Sequence, residues 1–402
     1  MFRGAASHDQ RGTVFGLFIA TDLRLMPTGV WCSAPLRCLP QDMDRPQHIL
    51  VTGAAGYIGS ALVRALLARG HRVTAVDNMS FGDQGLADLR QHNRLHIRPL
   101  DTRALHRGHL TGMQAVVDLA GLSSELAAES DPIGADAVNH RAQVRLAQLA
   151  RSCGVPRYLL ISSCSVYGHT ADVESTETSP VRPLTHQAQH CLMAEAAVLP
   201  LAREGFAPLV LRLGLVHGSG SRMRLDLMVH AMVLSAIRLG RITLDNHGVQ
   251  CRGHLHLSDA VSGILAALHA PIPAVSRQIF NISHHSVNAS AVAEVVRGAL
   301  GGAVLTLPEG GTPDLHHHRP SYRKAQELLG FQPEVGLQAG VRELIDALDP
   351  GVLGESAEVR TMRWIHEVLA QGREARAAIE RTAGFSRPAP VWPRFGGSLT
   401  LQ

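Results

Sequence analysis

The sequence predicts an α/β fold, a doubly wound parallel sheet with a smaller C-terminal substrate-binding lobe. Short apolar segments alternate with helical patterns from residue 47 onward, which is typical of a parallel sheet with helices on both faces. A glycine-rich turn also joins the first strand to the first helix. Strands are expected at 48–52, 72–76, 94–97, 114–119, 157–162, 208–213 and 278–282. Helices are expected at 60–69, 134–152, 186–204, 225–239, 258–269, 291–299, 321–329 and 337–348.

The length of the chain allows a large core and two lobes. It has 402 residues, of which 45% are hydrophobic and 18% charged, a globular composition. Residues before Met43 lack periodicity, whereas those that follow lead directly into the first strand. We therefore predict that residues 1–46 form an N-terminal extension that is disordered or not native. Residues 47–215 are expected to form a dinucleotide-binding domain, to which 240–265 contribute, and residues 216–350 mainly the substrate-binding lobe. Residues 351–402 are expected to form a C-terminal helix, around 357–382, and a tail.

Composition also narrows the partners and the compartment. The net charge of +4 is mild and dispersed, which argues against a nucleic-acid partner. The longest apolar run near the N-terminus, 14–20, is far shorter than the roughly 18 residues of a membrane helix. Six cysteines without regular spacing indicate free thiols in a reducing cytoplasm. The adjacent histidines at 316–318 point in different directions, so no metal site is predicted.

The glycine-rich turn is the most informative motif in the chain. Gly53, Gly56 and Gly59 follow an apolar strand and open an amphipathic helix. Glycines let the backbone approach a pyrophosphate, and the helix N-terminus offers free N–H groups to it. Asp77 ends the second strand, where a carboxylate can accept hydrogen bonds from a ribose. This context predicts a Rossmann-type dinucleotide site.

Several ordered motifs between residues 47 and 348 resemble those of the extended short-chain dehydrogenases/reductases. They are similar to the branch of NAD-dependent nucleotide-sugar epimerases and dehydratases. The matching segments are Thr52–Gly59 (TGxxGxxG), Val76–Asn78, Pro99–Arg103, Val117–Gly121 (VxHLAA), Leu160–Gly168 (SSxSVYG), Arg212–Gly218 (RxxxVYG), Arg252–Asp259 (WRxFIHVxD) and Asn281–Ser283.

This resemblance implies NAD as the cofactor. Asp77 has no basic residue close to it in the sequence, and a carboxylate repels the 2′-phosphate of NADP. By the same resemblance, the cofactor-binding residues are Gly53, Ala55, Gly56, Tyr57, Ile58, Gly59, Asp77, Asn78, Asp101, Thr102, Leu119, Ala120 and Gly121.

The catalytic residues of the family are only partly present. The resemblance implies a serine or threonine, a tyrosine that exchanges a proton, and a lysine four residues after the tyrosine. Ser163 stands at the serine position, but Gln187 and Cys191 stand at the positions of tyrosine and lysine. None of the four tyrosines lies on this helix, and the chain's single lysine is Lys324. We therefore predict an altered acid/base set.

Histidine is the side chain best suited to replace the tyrosine near neutral pH. His190 follows Gln187 by three residues, which places the two on roughly the same helix face, and is the first candidate. His186 is the second, and Tyr167 is a further alternative. His190 as an ordinary solvated helix residue remains the competing interpretation.

The substrate side points to a nucleotide-linked sugar. Guanidinium groups match phosphate oxygens, and by resemblance Arg224 and Arg252 are assigned to a diphosphate. Arg319 is retained from a D-x-R-S-Y-R segment in which His316 replaces the nucleotide-binding arginine. The resemblance also implies a homodimer formed through 134–152 and 186–204.

Three functions remain open on this evidence. The first is an NAD-dependent epimerase, dehydratase or ketoreductase of a nucleotide-linked sugar with an altered acid/base set. The second is a divergent enzyme on the same scaffold in secondary metabolism. The third is a non-catalytic NAD-binding protein.

Overall fold

The computed structural model describes residues 45–302, 304–306 and 316–348. Almost all of the predicted N-terminal extension, and the helix predicted around 357–382, lie outside the described residues. None of the helices described is both long and apolar enough to cross a membrane.

The strands fall into one large sheet and three small ones. The strands described are β1 (His48–Thr52), β2 (Arg72–Asp77), β3 (Leu95–Pro99), β4 (Ala115–Asp118), β5 (Arg157–Ser163), β6 (His169–Ser175), β7 (Ala207–Leu213), β8 (Leu215–His217), β9 (Arg241–Thr243), β10 (Cys251–His256), β11 (Ile279–Ile282), β12 (Ser286–Asn288), β13 (Val304–Thr306) and β14 (His317–Pro320).

The helices cover both faces of the large sheet and build the lobe. The α-helices described are α1 (Tyr57–Ala68), α2 (Arg107–Leu110), α3 (Glu125–Ser130), α4 (Pro132–Asp136), α5 (Gln143–Ser152), α6 (His186–Val198), α7 (Met228–Leu239), α8 (Leu257–His269), α9 (Ile272–Val275), α10 (Ala289–Leu300), α11 (Arg323–Leu329) and α12 (Leu337–Leu348).

The large sheet is parallel throughout, with strand order β3-β2-β1-β4-β5-β7-β11. The chain runs outward from β1 through β2 and β3, then returns to the other side of β1 with β4. This reversal creates a crevice at the carboxyl ends of β1 and β4, where ligands bind in such folds. The predicted doubly wound fold is therefore confirmed, and each of the seven predicted strands belongs to this sheet.

Both faces of the sheet are buried, as a parallel sheet requires. Successive residues of β1 belong to different cores: Ile49 and Val51 pack on one face and Leu50 on the other. The first core includes residues of α1 and α8, and the second includes residues of α5 and α6. Helices thus cover both faces of the sheet, and the crevice at the carboxyl ends of its strands is left open.

The helix predicted at 134–152 is interrupted. It comprises α4, a π-helical segment (Ala137–Ala142) and α5. Within the π-helical segment, Asn139 holds the backbone of Leu122 through its amide: Nδ2 donates to Leu122 O at 3.0 Å and Oδ1 accepts from Leu122 N at 2.7 Å. The interruption therefore fixes the loop after β4.

The helix predicted at 186–204 begins as expected but ends at Val198. Thr185 caps it, with Oγ1 accepting from Ala188 N at 3.3 Å. A short 3₁₀ turn, Leu199–Leu201, follows it. Pro200 lacks the N–H that another helical turn would need.

A separate core organises the second lobe. Residues of α7, α10 and α12, among them Val233, Val292 and Leu344, pack together in it. Two small sheets flank this lobe, β12-β10-β8 and β13-β9. The pair β14-β6 joins a strand from the first half of the chain to one from the second, and β14 contacts β10. The chain also returns to the large sheet after residue 216, because α8 packs on α1 and β11 pairs with β7.

Candidate functional site

A cavity of about 780 Å³ lies at the carboxyl ends of β1, β4 and β5. One wall carries the glycine turn and the ends of the strands, and the other carries residues of the second lobe. Every predicted cofactor residue lines this cavity except Ala55, which contacts Asp77 through its backbone N–H. The cavity thus unites residues that are spread along the sequence.

The glycine turn forms a cradle of backbone atoms. Gly53 has a φ of +62°, and a Cβ there would lie 2.8 Å from the carbonyl oxygen of Leu119. A Cβ on Gly59 would overlap the carbonyl oxygen of Gly53. No side chain caps the N-terminus of α1 at Gly56, so its N–H groups remain available for a pyrophosphate. The cradle therefore fits a dinucleotide.

We expect Gly59→Ala to weaken NAD binding about 10- to 100-fold, because relieving the overlap with Gly53 strains the turn. Isothermal titration calorimetry of NAD binding checks this. Gly298→Ala is the matched control, since a Cβ there meets open space on α10, and it should bind NAD normally. Equal affinity of the Gly59 variant and the wild type would contradict the cradle.

Asp77 is held in place at the end of β2. Its Oδ2 accepts from Ala55 N at 3.0 Å, and its Oδ1 accepts from Met79 N at 2.9 Å. Burial raises the pKa of this carboxyl group, against the lowering effect of these two bonds. Asp77 does have a basic neighbour in space: Arg222, which is distant in the sequence, lines the same part of the cavity. The absence of a basic residue beside Asp77 therefore holds only along the chain.

Asp101 lines the same end of the cavity. Arg103 donates to it through Nε at 2.9 Å and Nη2 at 2.7 Å, and these bonds lower the pKa of the Asp101 carboxyl group. Its carboxylate is therefore charged and oriented from the neighbouring turn.

The loop after β4 is fixed by a buried network that the sequence did not reveal. Thr52 Oγ1 accepts from the N–H groups of Leu119 and Ala120, both at 3.1 Å. It donates in turn to Asp118 Oδ1 at 2.5 Å, and Tyr158 donates to Asp118 Oδ2 at 2.5 Å. Burial raises the pKa of Asp118. The network ties the loop to β1, next to the glycine turn.

Ser163, Gln187 and Cys191, which the resemblance to the family grouped together, all line the cavity. The Ser165 hydroxyl, which the sequence did not single out, lies 2.8 Å from Ser163 Oγ and 3.3 Å from Gln187 Oε1. Gln187 Nε2 donates to Cys191 Sγ at 3.4 Å. Burial raises the pKa of Cys191 to about 12, so its thiol is neutral at cellular pH. The four side chains form a polar, uncharged group.

The structure does not bring His190 to this group. It is 6% exposed, does not line the cavity, and faces the side of α6 that carries His186. Burial lowers its pKa. At about 100° per residue, Cys191 lies closer in helical phase to Gln187 than His190 does. The position of His190 therefore does not support the prediction that it transfers the proton. The second candidate, His186, also lies off the cavity wall and pairs with Glu129 at 2.6 Å.

Tyr167 is likewise withdrawn from the cavity. Its side chain is fully buried, and its hydroxyl lies 2.9 Å from Thr176 O, 2.8 Å from Asn281 Oδ1 and 3.0 Å from Arg212 Nη1. Burial raises its pKa well above the ordinary value. Because these three partners hold its hydroxyl, Tyr167 has a structural role.

Two of the three predicted substrate arginines line the cavity. Arg224 pairs with Asp226 through two contacts, of 2.8 and 2.5 Å. Arg252 Nη2 lies 3.4 Å from His316 Nδ1. Arg319 does not reach the cavity and instead contacts Asp172 at 3.0 Å.

The reason is the alternation of side chains along β14. His318, one residue before Arg319, points to the opposite face and lines the cavity. Sequence reasoning missed His318, and also Glu125 and Arg222, which line the cavity from other segments. The strand is too short for its alternation to be recognised in the sequence.

A parallel sheet with a glycine turn at its crevice and a carboxylate at the end of the second strand defines a Rossmann-type dinucleotide-binding protein. Comparison with known proteins makes this more specific. Residues 49–283 match the NAD dependent epimerase/dehydratase family. The chain belongs to this family of extended short-chain dehydrogenases/reductases, and its cofactor is NAD.

Individual relatives act on nucleotide sugars. The chain is 30% identical over 317 residues to UDP-glucose 4-epimerase of Mycolicibacterium smegmatis, covering 74% of this chain and 97% of the relative. It is 26% identical over 318 residues to UDP-glucuronic acid decarboxylase 1 of Xenopus tropicalis, covering 76% of this chain and 72% of the relative.

Solved structures show the same architecture. MoeE5 in complex with UDP-glucuronic acid and NAD has a TM-score of 0.66 at 27% identity, covering 74% of this chain and 98% of its own. UDP-glucuronic acid 4-epimerase from Bacillus cereus, in complex with UDP-glucuronic acid and NAD, has a TM-score of 0.69 at 22% identity, covering 75% and 98%. The second similarity concerns the fold alone.

Proposed function

We propose that this protein binds a nucleotide-linked sugar beside NAD and exchanges hydride with it, using an altered acid/base set. The observation that carries the proposal is the shared cavity. It places Ser163 together with the cofactor wall on one side and with Arg252 and His318 of the second lobe on the other. NAD, when bound, supplies a hydride acceptor and donor.

The substrate class follows from the charge of the second wall. Arg252 is suited to bind phosphate oxygens of a nucleotide diphosphate. Arg224 also lines this wall, although Asp226 neutralises much of its charge. The complex of MoeE5 with UDP-glucuronic acid and NAD supports a UDP-sugar as the first ligand to test.

Proton transfer needs a different carrier from the tyrosine–lysine pair of the family. Gln187 can only donate and accept hydrogen bonds, and the Cys191 thiol is neutral. Elsewhere, Tyr57 donates to Gly218 O at 2.6 Å and Lys324 donates to Ile279 O at 2.8 Å, so neither supplies the pair. Ser163 and Ser165 are positioned to hold a sugar oxygen.

Ionisable groups do occur on the cavity wall. Glu125 begins α3, is partly exposed, and lies 3.8 Å from His316 Nε2. His318 lines the wall beside it. We assign proton exchange to Glu125 or His318, because these two can change protonation state and face the substrate side.

The test measures hydride exchange directly. UDP-glucose or UDP-glucuronic acid, deuterated at a carbinol carbon, is incubated with the protein and a stoichiometric amount of NAD. Transfer of the deuterium to the nicotinamide, which forms deuterated NADH as the sugar is oxidised, is followed by mass spectrometry of the nucleotide. We expect slow exchange by the wild type and about a 10²- to 10⁴-fold increase when Gln187→Tyr and Cys191→Lys are combined. Gln189→Tyr, on the same helix but off the cavity wall, should not accelerate it.

Two further results decide between the functions. Glu125→Gln or His318→Gln should slow the wild-type exchange without preventing NAD binding. If the wild type binds both ligands tightly but exchanges no deuterium, while the double variant does, the protein is a non-catalytic NAD-binding protein and the proposal fails.

A further inference from the structure

Arg222 is a cationic residue of the cavity to which the sequence comparison with the family assigned no role. It lies in the loop between β8 and α7, far along the chain from the glycine turn. Its guanidinium carbon lies 4.3 Å from the centroid of the Phe81 ring, in the segment that follows β2. It lines the cavity together with Asp77, Asn78 and Ser80. A loop of the second half of the chain thus delivers a positive charge to the cofactor wall.

Nearby carboxylates are already committed to other groups. Asp226 is paired with Arg224 through two contacts, and Asp77 accepts from two backbone N–H groups. In the part of the chain that the structure describes, no carboxylate lies within ion-pair distance of Arg222. The guanidinium of Arg222 instead lies over the aromatic face of Phe81.

A partly buried cation that no carboxylate contacts directly is unfavourable, and a second arginine nearby adds repulsion. Asp226 and Asp77 attract Arg222 from a greater distance and offset part of this cost. Burial and the neighbouring Arg224 lower the pKa of Arg222 to about 10, so the group is still charged at neutral pH. An anionic ligand would offset both effects. A guanidinium fork is well matched to phosphate oxygens.

The loop that carries Arg222 is fastened to the cofactor-side helix. Tyr57 at the start of α1 donates to Gly218 O at 2.6 Å, and Arg64 Nε donates to Ser221 Oγ at 2.9 Å. These bonds bracket the residues just before Arg222 and hold the loop against α1. The position of the guanidinium over Phe81 is therefore set by the backbone and not only by a flexible side chain.

We propose that Arg222 binds a phosphate group of the dinucleotide, so that the segment preceding α7 takes part in cofactor binding. Its place beside Asp77, Asn78 and Ser80 favours the adenosine half of the cofactor over the sugar diphosphate. Since the cofactor is NAD, the phosphate is the pyrophosphate, which NAD and NADP share. This inference depends on dinucleotide binding alone and not on the sugar chemistry proposed above.

The test compares dissociation constants of NAD and NADP, measured by isothermal titration calorimetry, and of adenosine, measured by NMR. Arg222→Gln is expected to weaken binding of a phosphate-bearing ligand at least about tenfold, with adenosine unchanged. A loss of affinity for both dinucleotides is the expected result, whereas a loss for NADP alone would overturn the assignment to the pyrophosphate. Arg222→Lys, which keeps the charge but not the fork, should fall in between.

Arg297→Gln is the matched control, because it removes the same charge from an exposed position on α10. It should leave all three constants unchanged. Unaltered binding of both dinucleotides by Arg222→Gln would overturn the inference. An equal loss of adenosine binding would also overturn it, because Arg222 would then act through Phe81 or through the loop itself. Neither readout requires turnover of a sugar.

Discussion

Glu195→Gln is expected to destabilise the protein by about 3–5 kcal/mol, the largest effect that we anticipate for one conservative substitution. Glu195 is 2% exposed and receives Arg212 Nη2 at 2.6 Å and Arg212 Nε at 3.1 and 3.2 Å. Ser162 also donates to it at 2.5 Å. Arg212 is itself buried, so loss of the carboxylate would leave an uncompensated charge inside the second core.

The substitution should also disturb the structure of the cavity wall, because Ser162, which contacts Glu195, precedes Ser163 on β5, and Arg212 also contacts the Tyr167 hydroxyl. Chemical unfolding in urea measures the change in free energy. Glu204→Gln, at an exposed position, is the control and should change stability by less than about 0.5 kcal/mol. Replacing both partners, with Glu195→Leu and Arg212→Met, should cost less than Glu195→Gln alone. A change below about 1 kcal/mol for Glu195→Gln would contradict this account.

Stability is expected to fall steeply as the pH drops below about 6.5, with a slope approaching 4 kcal/mol per pH unit. Three buried histidines cause this. Burial lowers the pKa of His217 to about 2, of His254 to about 3 and of His230 to about 4. Neighbouring histidines lower that of His217 further, and Arg252 lowers that of His254.

The sign follows from proton linkage. These histidines stay neutral in the folded protein, whereas in the unfolded chain each takes up a proton near its ordinary pKa of 6.5. Their stabilising effect is therefore complete above pH 6.5 and is lost as the pH falls from there toward the folded pKa values. The raised pKa values of Asp77 and Asp118 act in the opposite sense, because these groups bind protons more readily when folded, and offset part of the loss at the lowest pH.

Urea unfolding at pH 7.5, 6.5, 5.5 and 4.5 tests this dependence. His254→Gln should reduce the slope by about 1.4 kcal/mol per pH unit, since one titrating site is removed. His96→Gln, at an exposed position on β3, should leave the slope unchanged. A stability that stays level between pH 7 and pH 5 would show that the buried histidines do not titrate as described.

Much of the fold could be predicted because its signals are local. Strands such as β1 and β7 are buried on both faces, so they occur as uninterrupted apolar runs. The short strands of the lobe, such as β8 and β12, carry no such run and are stabilised by pairing with β10. No signal in the sequence marks the π-helical segment, because it contains neither glycine nor proline.

The same difference between local and long-range signals explains which parts of the candidate site could be predicted. The cofactor wall is built from turns that directly follow strands, and these could be located from the sequence alone. His190 and Arg319 were misplaced because their roles depend on helix phase and on which face of a strand a side chain occupies. Arg222 and His318 reach the cavity from distant segments, and no local pattern connects them with Asp77 or Ser163.

The carbonyl oxygen of Gly218 is a meeting point of the two halves of the molecule. It accepts from Tyr57 of α1 at 2.6 Å and from His230 Nε2 of α7 at 3.0 Å. Gly218 has a φ of +110°, and a Cβ there would overlap the ring of His256. A side chain at position 218 would therefore both strain the backbone and clash with His256, so the single peptide unit that joins α1 to α7 requires glycine.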